Sequence, residues 1–230
     1  MLNFGAKEKA QVKAVMAQYA QKETKTVHEE ARCIMGESTV TLYTSGRVTI
    51  QGKDAEMVKE KLLAELNLDD ELVLGIDESG RGESFGSMTL AGVLARKNDM
   101  LGLRDSKKVK NFEERVKLIT RKALSTVVLT FSAEYIDELR KKGFNLNDIE
   151  AHAINVIAGM QKDGKVKVRV DGTPLKGVEK GIEFLIKGDD LDPVIGAASI
   201  LAKYARDTSG DDADRKTWNG ETHRPKKTKN

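Results

Sequence analysis

The stretch LVLGIDESGRGESFG, residues 72–86, is the part of the sequence that most restricts the choice of fold. Its apolar start is typical of a buried strand, and Asp77 and Glu78 follow where that strand ends. Three glycines then occur within seven positions, which predicts a tight turn. Two carboxylates therefore stand where a strand ends and the backbone turns sharply.

From residue 72 onward, strand patterns alternate with helix patterns. This alternation predicts an α/β fold in which a parallel or mixed sheet is covered by helices. The predicted strands are 72–77, 88–94, 125–131, 166–170 and 182–186, and the predicted helices include 112–124, 133–142, 147–160 and 196–207.

Three of these apolar runs lead to an acid, namely Asp77, Asp171 and Asp189. Ligands of α/β sheets gather at the carboxyl ends of strands, so acids arriving there from neighbouring strands can converge. Converging carboxylates repel one another, and Mg²⁺ or Mn²⁺ is the usual remedy because these ions prefer oxygen ligands. With Glu78 added, four ligands suit a two-metal phosphodiester site, although any one acid alone is more typical of a turn or helix cap.

The first 68 residues have a different pattern. Residues 6–22 have the apolar spacing of an amphipathic helix, residues 39–52 alternate as a hairpin, and a second helix begins at Asp54. One hairpin face is apolar, whereas the other carries polar side chains that include Tyr43 and Arg47. That polar face is interpreted either as a solvated surface or as a binding surface.

Composition limits the class of protein. The chain has 230 residues, 39% hydrophobic and 33% charged, and no apolar run reaches the roughly 18 residues of a membrane span. The N-terminus lacks the pattern of a signal peptide and Cys33 is the single cysteine, so we expect a soluble, cytoplasmic protein. The net charge of +3 does not by itself indicate a nucleic-acid partner.

Five linked motifs resemble the type 2 ribonuclease H family, which contains ribonucleases HII and HIII. They occur in the family's order and span about residues 70–207: GIDESGRGESFG (75–86), LRDSKKVKN (103–111), VRVDG (168–172), IKGDD (186–190) and GAASILAKYARD (196–207). In addition, YTSGRVTIQGKDAE (43–56) is similar to the substrate-binding N-terminal domain of ribonuclease HIII. The resemblance implies a ribonuclease H-like mixed sheet flanked by helices, preceded by a small α+β domain of the TBP-like type.

The domains expected on this basis are 1–68, a hybrid-binding domain; 70–208, the catalytic domain; and 209–230, a polar tail predicted to be disordered. The activity that the resemblance implies is endonucleolytic cleavage of the RNA strand of RNA–DNA hybrids with two Mg²⁺ or Mn²⁺ ions. The expected products carry 3′-hydroxyl and 5′-phosphate ends. We expect a monomer that binds hybrid duplexes and no membrane.

The resemblance also implies roles for individual residues. The positions that match the family's catalytic and metal-binding acids are Asp77, Glu78, Asp171 and Asp189. The residues expected to contact substrate are Gly80, Arg81, Gly82, Lys107, Ser199, Tyr43 and Arg47. Among these, Gly80, Arg81 and Gly82 resemble the element that reads a ribose 2′-hydroxyl in ribonuclease HII.

Two alternatives remain open from the sequence. One is a hybrid-binding protein with weakened catalysis, which the short tail would favour, because only Trp218 offers an aromatic where ribonuclease HII has a tyrosine that stacks on the sugar. The other is a sugar-phosphate or nucleotide enzyme on a doubly wound sheet. That second alternative requires a phosphate loop such as GxxxxGK[ST], which the sequence does not contain.

Overall fold

A computed structural model describes residues 2–66, 70–101, 112–161 and 165–218. The chain divides into two compact units, and the division falls between Asp70 and Glu71. Within the described residues, no helix has both the length and the apolar character needed to cross a bilayer.

The first unit is a five-stranded antiparallel sheet with two helices packed on it. The sheet order is β1-β5-β4-β3-β2. Its elements are β1 (Leu2–Asn3), α1 (Ala6–Met16), β2 (Ala20–Gln21), β3 (Glu29–Met35), β4 (Ser38–Tyr43), β5 (Arg47–Gly52) and α2 (Ala55–Glu65). The predicted helix–hairpin–helix core is therefore present, and β3 extends the hairpin on one side.

Alternation along the hairpin determines the core of this unit. Val40, Leu42 and Val48 are fully buried on the face that packs against the helices, together with Val12 and Leu62 of α1 and α2. Successive strand residues point to opposite faces, so the residues between them form the polar face. The predicted burial is confirmed for Val40, Leu42 and Val48, whereas Ile50, expected on the same face, is only partly buried, and Thr41, expected on the polar face, is 6% exposed.

The second unit contains a mixed sheet with strand order β10-β9-β6-β7-β8. Strand β9 runs parallel to β6 and β10, whereas β7 runs antiparallel to β6 and β8. Its elements are β6 (Leu72–Ser79), β7 (Met88–Arg96), α3 (Lys97–Met100), α4 (Phe112–Lys122), β8 (Ser125–Phe131), α5 (Ala133–Lys141), α6 (Leu146–Gly159), β9 (Lys167–Asp171), β10 (Glu183–Leu185), α7 (Gly188–Leu191) and α8 (Pro193–Thr208).

Helices cover both faces of this sheet, as the near-continuous apolar runs of β6 and β7 predict. One core layer joins Val73 and Val93 to α8, α4 and α3. The other joins Leu74 and Ile76 to α5 and α6. Asp77 lies four residues after Val73 along β6, so its side chain points to the same face of the sheet, which α8 covers.

The segment after α8 corrects one expectation. Disorder was predicted from residue 209 because the sequence has no apolar period there, but that prediction is wrong for residues 209–218. Arg215 is only 4% exposed, and the carboxylate of Asp137, on α5, accepts hydrogen bonds from the backbone of Lys216 and Thr217. Polar hydrogen bonds fix this segment, and hydrophobic periodicity does not reveal them. Residues 219–230 lie outside the described residues.

Candidate active site

Two acids lie side by side at the carboxyl ends of adjacent parallel strands. The register of β6 and β9 pairs Ile76 with Val170, so Asp77 and Asp171 follow at the same level. Neighbouring strands are about 4.8 Å apart, and equivalent positions in register point to the same face. The convergence of these two carboxylates, expected from the sequence, is therefore present in the structure.

Helix α8 passes unusually close to β6 beneath these acids. A Cβ added to Gly75 would lie 2.6 Å from the backbone N of Ile195, so a side chain at residue 75 would prevent this approach. From the contact between Gly75 and Ile195, two residues along β6 and four residues along α8 each advance about 6 Å. This brings Ser199 level with Asp77. Ser199 lies close enough to Asp77 to lower the pKa of its carboxyl against the effect of burial, and the substrate contact expected for Ser199 stays a prediction.

Burial and mutual repulsion raise the pKa values of the acids. Burial, and next the charge of Glu78, raise the pKa of Asp77 to about 8. Burial also raises the pKa of Glu78, while a hydrogen bond with Asp77 acts in the opposite direction. Among the described residues, no lysine, arginine or histidine forms an ion pair with Asp77 or Asp171.

This donor set fits a hard divalent cation. All the side chains are carboxylates, the ligands that Mg²⁺ and Mn²⁺ prefer, and a cation would hold them ionised. The geometry nevertheless differs from a closed cage, because no group of three or more acidic, histidine or cysteine side chains in the described ranges has the spacing to hold an ion. The structure brings Asp77, Glu78 and Asp171 within electrostatic range of one another.

Asp189 is placed differently from the sequence prediction. The strand expected at 182–186 ends at Leu185, and Asp189 lies in the first turn of the short helix α7. The cause is a turn at Lys187, whose φ of 56° is left-handed and ends the extended run. The N–H of Gly188 then donates to Asp171 Oδ1 at 2.5 Å. Asp189 is thus one residue from a group that contacts Asp171, but the prediction that it ends a strand is wrong.

The glycine loop, defined as residues 80–86, follows the acids directly. Gly80 has φ of 84°, and a Cβ there would clash with Ser87 O and the side chain of Arg206, so the fold itself requires glycine. Gly82 is different, because a Cβ there would meet nothing within 4 Å. The packing of the described residues therefore requires glycine at residue 80 and does not require it at residue 82.

The side chain of Arg81 turns towards α6. Its Nε lies 2.5 Å from Glu150 Oε2, and the two groups form an ion pair. The Nε–H does not point at this oxygen, so the contact is not a hydrogen bond. Its Nη2 donates a hydrogen bond to Asn147 Oδ1. Glu150 is 6% exposed, and burial followed by the charge of Glu78 raises its pKa to about 7. Glu150 therefore connects the loop electrostatically to the acids.

Sequence reasoning missed Glu150, Asn147 and Arg215. One signal was available for Glu150, because it shares the buried stripe of α6 with Ile154 and Ile157, and an acid on such a stripe needs a partner. The polar segment around Arg215 carries no comparable signal.

Two of the expected substrate contacts belong to the first unit, and a third is not among the described residues. Tyr43 and Arg47 belong to the polar hairpin face of the first unit, where the guanidinium of Arg47 lies 5.5 Å from the centre of the Tyr43 ring, a cation–π arrangement. Lys107, within the motif at 103–111, lies outside the described residues.

Comparison with known proteins identifies the family. The model of the family described as ribonuclease HII matches residues 74–225, which is more than half of the chain. The chain belongs to the ribonuclease HII family. The resemblance to type 2 ribonuclease H is therefore confirmed, and family membership makes the chain an enzyme, a hydrolase of the ribonuclease H class.

Individual relatives agree with this assignment. The ribonuclease HII of Francisella philomiragia is 37% identical over 139 residues, which cover 59% of this chain and 72% of that protein. The ribonuclease HII of Hydrogenovibrio crunogenus is 36% identical over 143 residues, or 60% of this chain and 65% of that protein.

Solved structures show the same fold. The ribonuclease HII of Archaeoglobus fulgidus, solved in a complex with PCNA, matches with a TM-score of 0.50 and 28% identity over 59% of this chain and 73% of that chain. The Bst ribonuclease HIII, solved with Mn²⁺, matches with a TM-score of 0.53 over 89% of this chain and 79% of that chain. At 18% identity, the second match supports the fold alone. The ribonuclease H-like mixed α/β fold is confirmed.

Proposed function

We propose that this ribonuclease cuts the RNA strand of RNA–DNA hybrids endonucleolytically, using two divalent ions and leaving 3′-hydroxyl and 5′-phosphate ends. The observation that carries the proposal is the pair Asp77 and Asp171, level on adjacent parallel strands and without a cationic partner among the described residues. Mg²⁺ or Mn²⁺ held by Asp77, Glu78, Asp171 and Asp189 would supply an activated water and stabilise the leaving oxygen.

The chain's own residues orient the acids and the substrate. The N–H of Glu78 donates to the Asp77 carboxylate at 2.8 Å, and the N–H of Gly188 donates to that of Asp171, so both acids are oriented before an ion binds. The backbone at Gly82 is open to solvent and free of packing constraints, which suits close approach by a ribose 2′-hydroxyl. In the first unit, we assign hybrid binding to Tyr43 and Arg47, and we assign a phosphate contact to Lys107.

A cleavage assay tests this function. A labelled RNA–DNA hybrid is incubated with the protein in Mg²⁺, in Mn²⁺ and in chelator, and the 3′ and 5′ ends of the products are determined. We expect metal-dependent cutting of the RNA strand that is lost in Asp77→Asn, with hybrid affinity changed by only a few-fold because the phosphate contacts remain. Binding of the hybrid without cleavage by the wild-type protein would instead support the hybrid-binding alternative.

A matched pair of variants tests the fourth ligand. Asp189 and Asp190 are neighbouring acids in α7, and the second is exposed. If Asp189 is a ligand, Asp189→Asn lowers kcat by about tenfold to a hundredfold, the loss typical of groups that position a catalytic ion, whereas Asp190→Asn stays within about threefold of wild type. Equal effects of the two substitutions would remove Asp189 from the ligand set.

A further inference from the structure

Arg215 is a buried cation whose partners are backbone carbonyls. It is 4% exposed and forms no ion pair with the described carboxylates. Its Nη2 donates to Gly80 O at 2.8 Å, its Nη1 to Glu83 O at 2.9 Å and more weakly to Arg81 O at 3.4 Å, and its Nε to Gly86 O at 2.9 Å. Burying a charge is costly, and hydrogen bonds that involve a charged donor are the strong ones that can offset that cost. One guanidinium thus fixes the backbone of the whole glycine loop.

The bonds to Gly80 and Arg81 also determine where the loop's N–H groups point. In a planar trans peptide, the C=O of one residue and the N–H of the next are antiparallel, and the structure contains no cis peptide bond. Because the carbonyls of Gly80 and Arg81 point to Arg215, the N–H groups of Arg81 and Gly82 point away from it. The loop therefore presents donors on the side opposite Arg215, at the position where Gly82 is open to solvent.

The segment that carries Arg215 is itself anchored to α5 on both sides. Before it, Asp211 Oδ2 accepts a hydrogen bond from Ala133 N at 2.8 Å. After it, the 4%-exposed carboxylate of Asp137 accepts from Lys216 N at 2.8 Å and from Thr217 N at 2.9 Å. Asp137 does not hydrogen-bond the glycine loop, so it can influence the loop only through this segment.

We propose that Arg215 is a positioning residue for ribose recognition: it orients the N–H groups of Arg81 and Gly82 towards a substrate 2′-hydroxyl, and Asp137 holds it in place. This inference rests on the proposed function of the site. It assigns to the segment after α8 a role in distinguishing RNA-containing duplexes from DNA.

The test compares discrimination, not activity alone. The KM for an RNA–DNA hybrid and the inhibition constant of a DNA duplex of the same sequence are measured for wild type, Arg215→Lys and Asp137→Ala. Lysine keeps the charge but replaces the planar fork by a single ammonium, which cannot span the carbonyls of Gly80, Glu83 and Gly86. We expect each variant to lose about tenfold of the preference for the hybrid, the loss typical of one poorly placed hydrogen bond. We also expect kcat to stay within about threefold, because the acids are not altered.

A control and a double variant separate this role from general destabilisation. Arg169 is another largely buried arginine, and it pairs with Glu71, Glu183 and Asp192 instead of the loop. Arg169→Lys is expected to lower the melting temperature without changing the preference for the hybrid. The double variant Arg215→Lys/Asp137→Ala should lose no more preference than the stronger single variant, because both act through one contact.

The outcomes are distinguishable. If the wild-type protein does not cut hybrids, the proposed function fails. If it cuts hybrids and both single variants keep the preference within twofold, the role of Arg215 is refuted and the proposed function stands. Should Arg215→Lys fail to fold, the result for Asp137→Ala decides alone.

Discussion

Replacing Gly82 by alanine separates substrate recognition from folding more sharply than any other change in the loop. Gly82 is exposed, its φ is not left-handed, and an added Cβ has no atom within 4 Å. Alanine at such a position restricts the unfolded chain and commonly stabilises a protein by about 0.4–1 kcal/mol. We therefore expect the free energy of unfolding of Gly82→Ala to equal that of wild type or to exceed it by up to about 1 kcal/mol.

The effect on the substrate should have the opposite sign. If a ribose approaches the backbone here, the new methyl group displaces it from the N–H donors. Loss of one well-placed hydrogen bond costs about 1–3 kcal/mol, which corresponds to a roughly tenfold to hundredfold lower kcat/KM. The assay is cleavage of a hybrid at several substrate concentrations, combined with urea unfolding of the same preparation.

Gly80→Ala is the matched control. At φ of 84°, with Ser87 O and the side chain of Arg206 in the way, alanine is strained and should lower the free energy of unfolding by more than about 1 kcal/mol. A Gly82→Ala protein that cleaves hybrids at the wild-type kcat/KM would refute close approach of the substrate at this residue. A clear loss of stability in Gly82→Ala would refute the structural premise.

Three further predictions concern pH, salt and substrate pattern. In chelator, the pKa of Asp77 is about 8 in the folded state against about 3.9 in the unfolded chain, so the folded state binds more protons between those values and stability falls as pH rises from about 4 to 8. At about 1.4 kcal/mol per pKa unit the contribution of Asp77 is at most about 6 kcal/mol, and in urea unfolding at pH 5 and 8.5 Asp77→Asn should remove this contribution and leave a smaller fall from Glu78 and Glu150, whose pKa values are also raised. Arg47→Ala should weaken hybrid binding about twofold to fivefold and lower the slope of log affinity against log salt by about one, whereas Lys53→Ala should leave that slope unchanged. A stretch of four consecutive ribonucleotides in a DNA duplex should be cut at least about tenfold faster than a single ribonucleotide. Equal rates would mean that the glycine loop alone, or Trp218 in place of the family's tyrosine, is enough to recognise a single ribose.

The arrangement of Asp77 and Asp171 was predictable because it depends on local pattern and one general rule. Each follows an apolar run long enough for one strand, and parallel strands share a carboxyl edge. Asp189 was predicted less well, since the run at 182–186 also has the pattern of a strand. Among the described strands it pairs with β9 alone, the ladder covers only three residues, and Lys187 then leaves the extended conformation.

The supports of the glycine loop could not be predicted in the same way. Arg81 and Glu150 are 69 positions apart, and Arg215 lies 135 positions after Gly80. Neither pairing follows from a helical or strand period, because each depends on how α6 and the last described segment pack beside β6. An acid on the buried stripe of α6 indicates that some partner exists, but only the fold identifies Arg81 as that partner.

The glycine loop has a physical reason to need such distant supports. Residues that let a ligand approach the bare backbone are also the residues that lose most conformational entropy when they are ordered. The acids avoid this problem because a paired strand holds them, whereas donors on a loop must be fixed from outside if they are to bind without a further ordering cost. Arg215 fixes the loop's carbonyls, and Glu150 with Asn147 fixes the side chain of Arg81. On this reasoning, loosening either support should harm discrimination between RNA and DNA before it harms the chemical step.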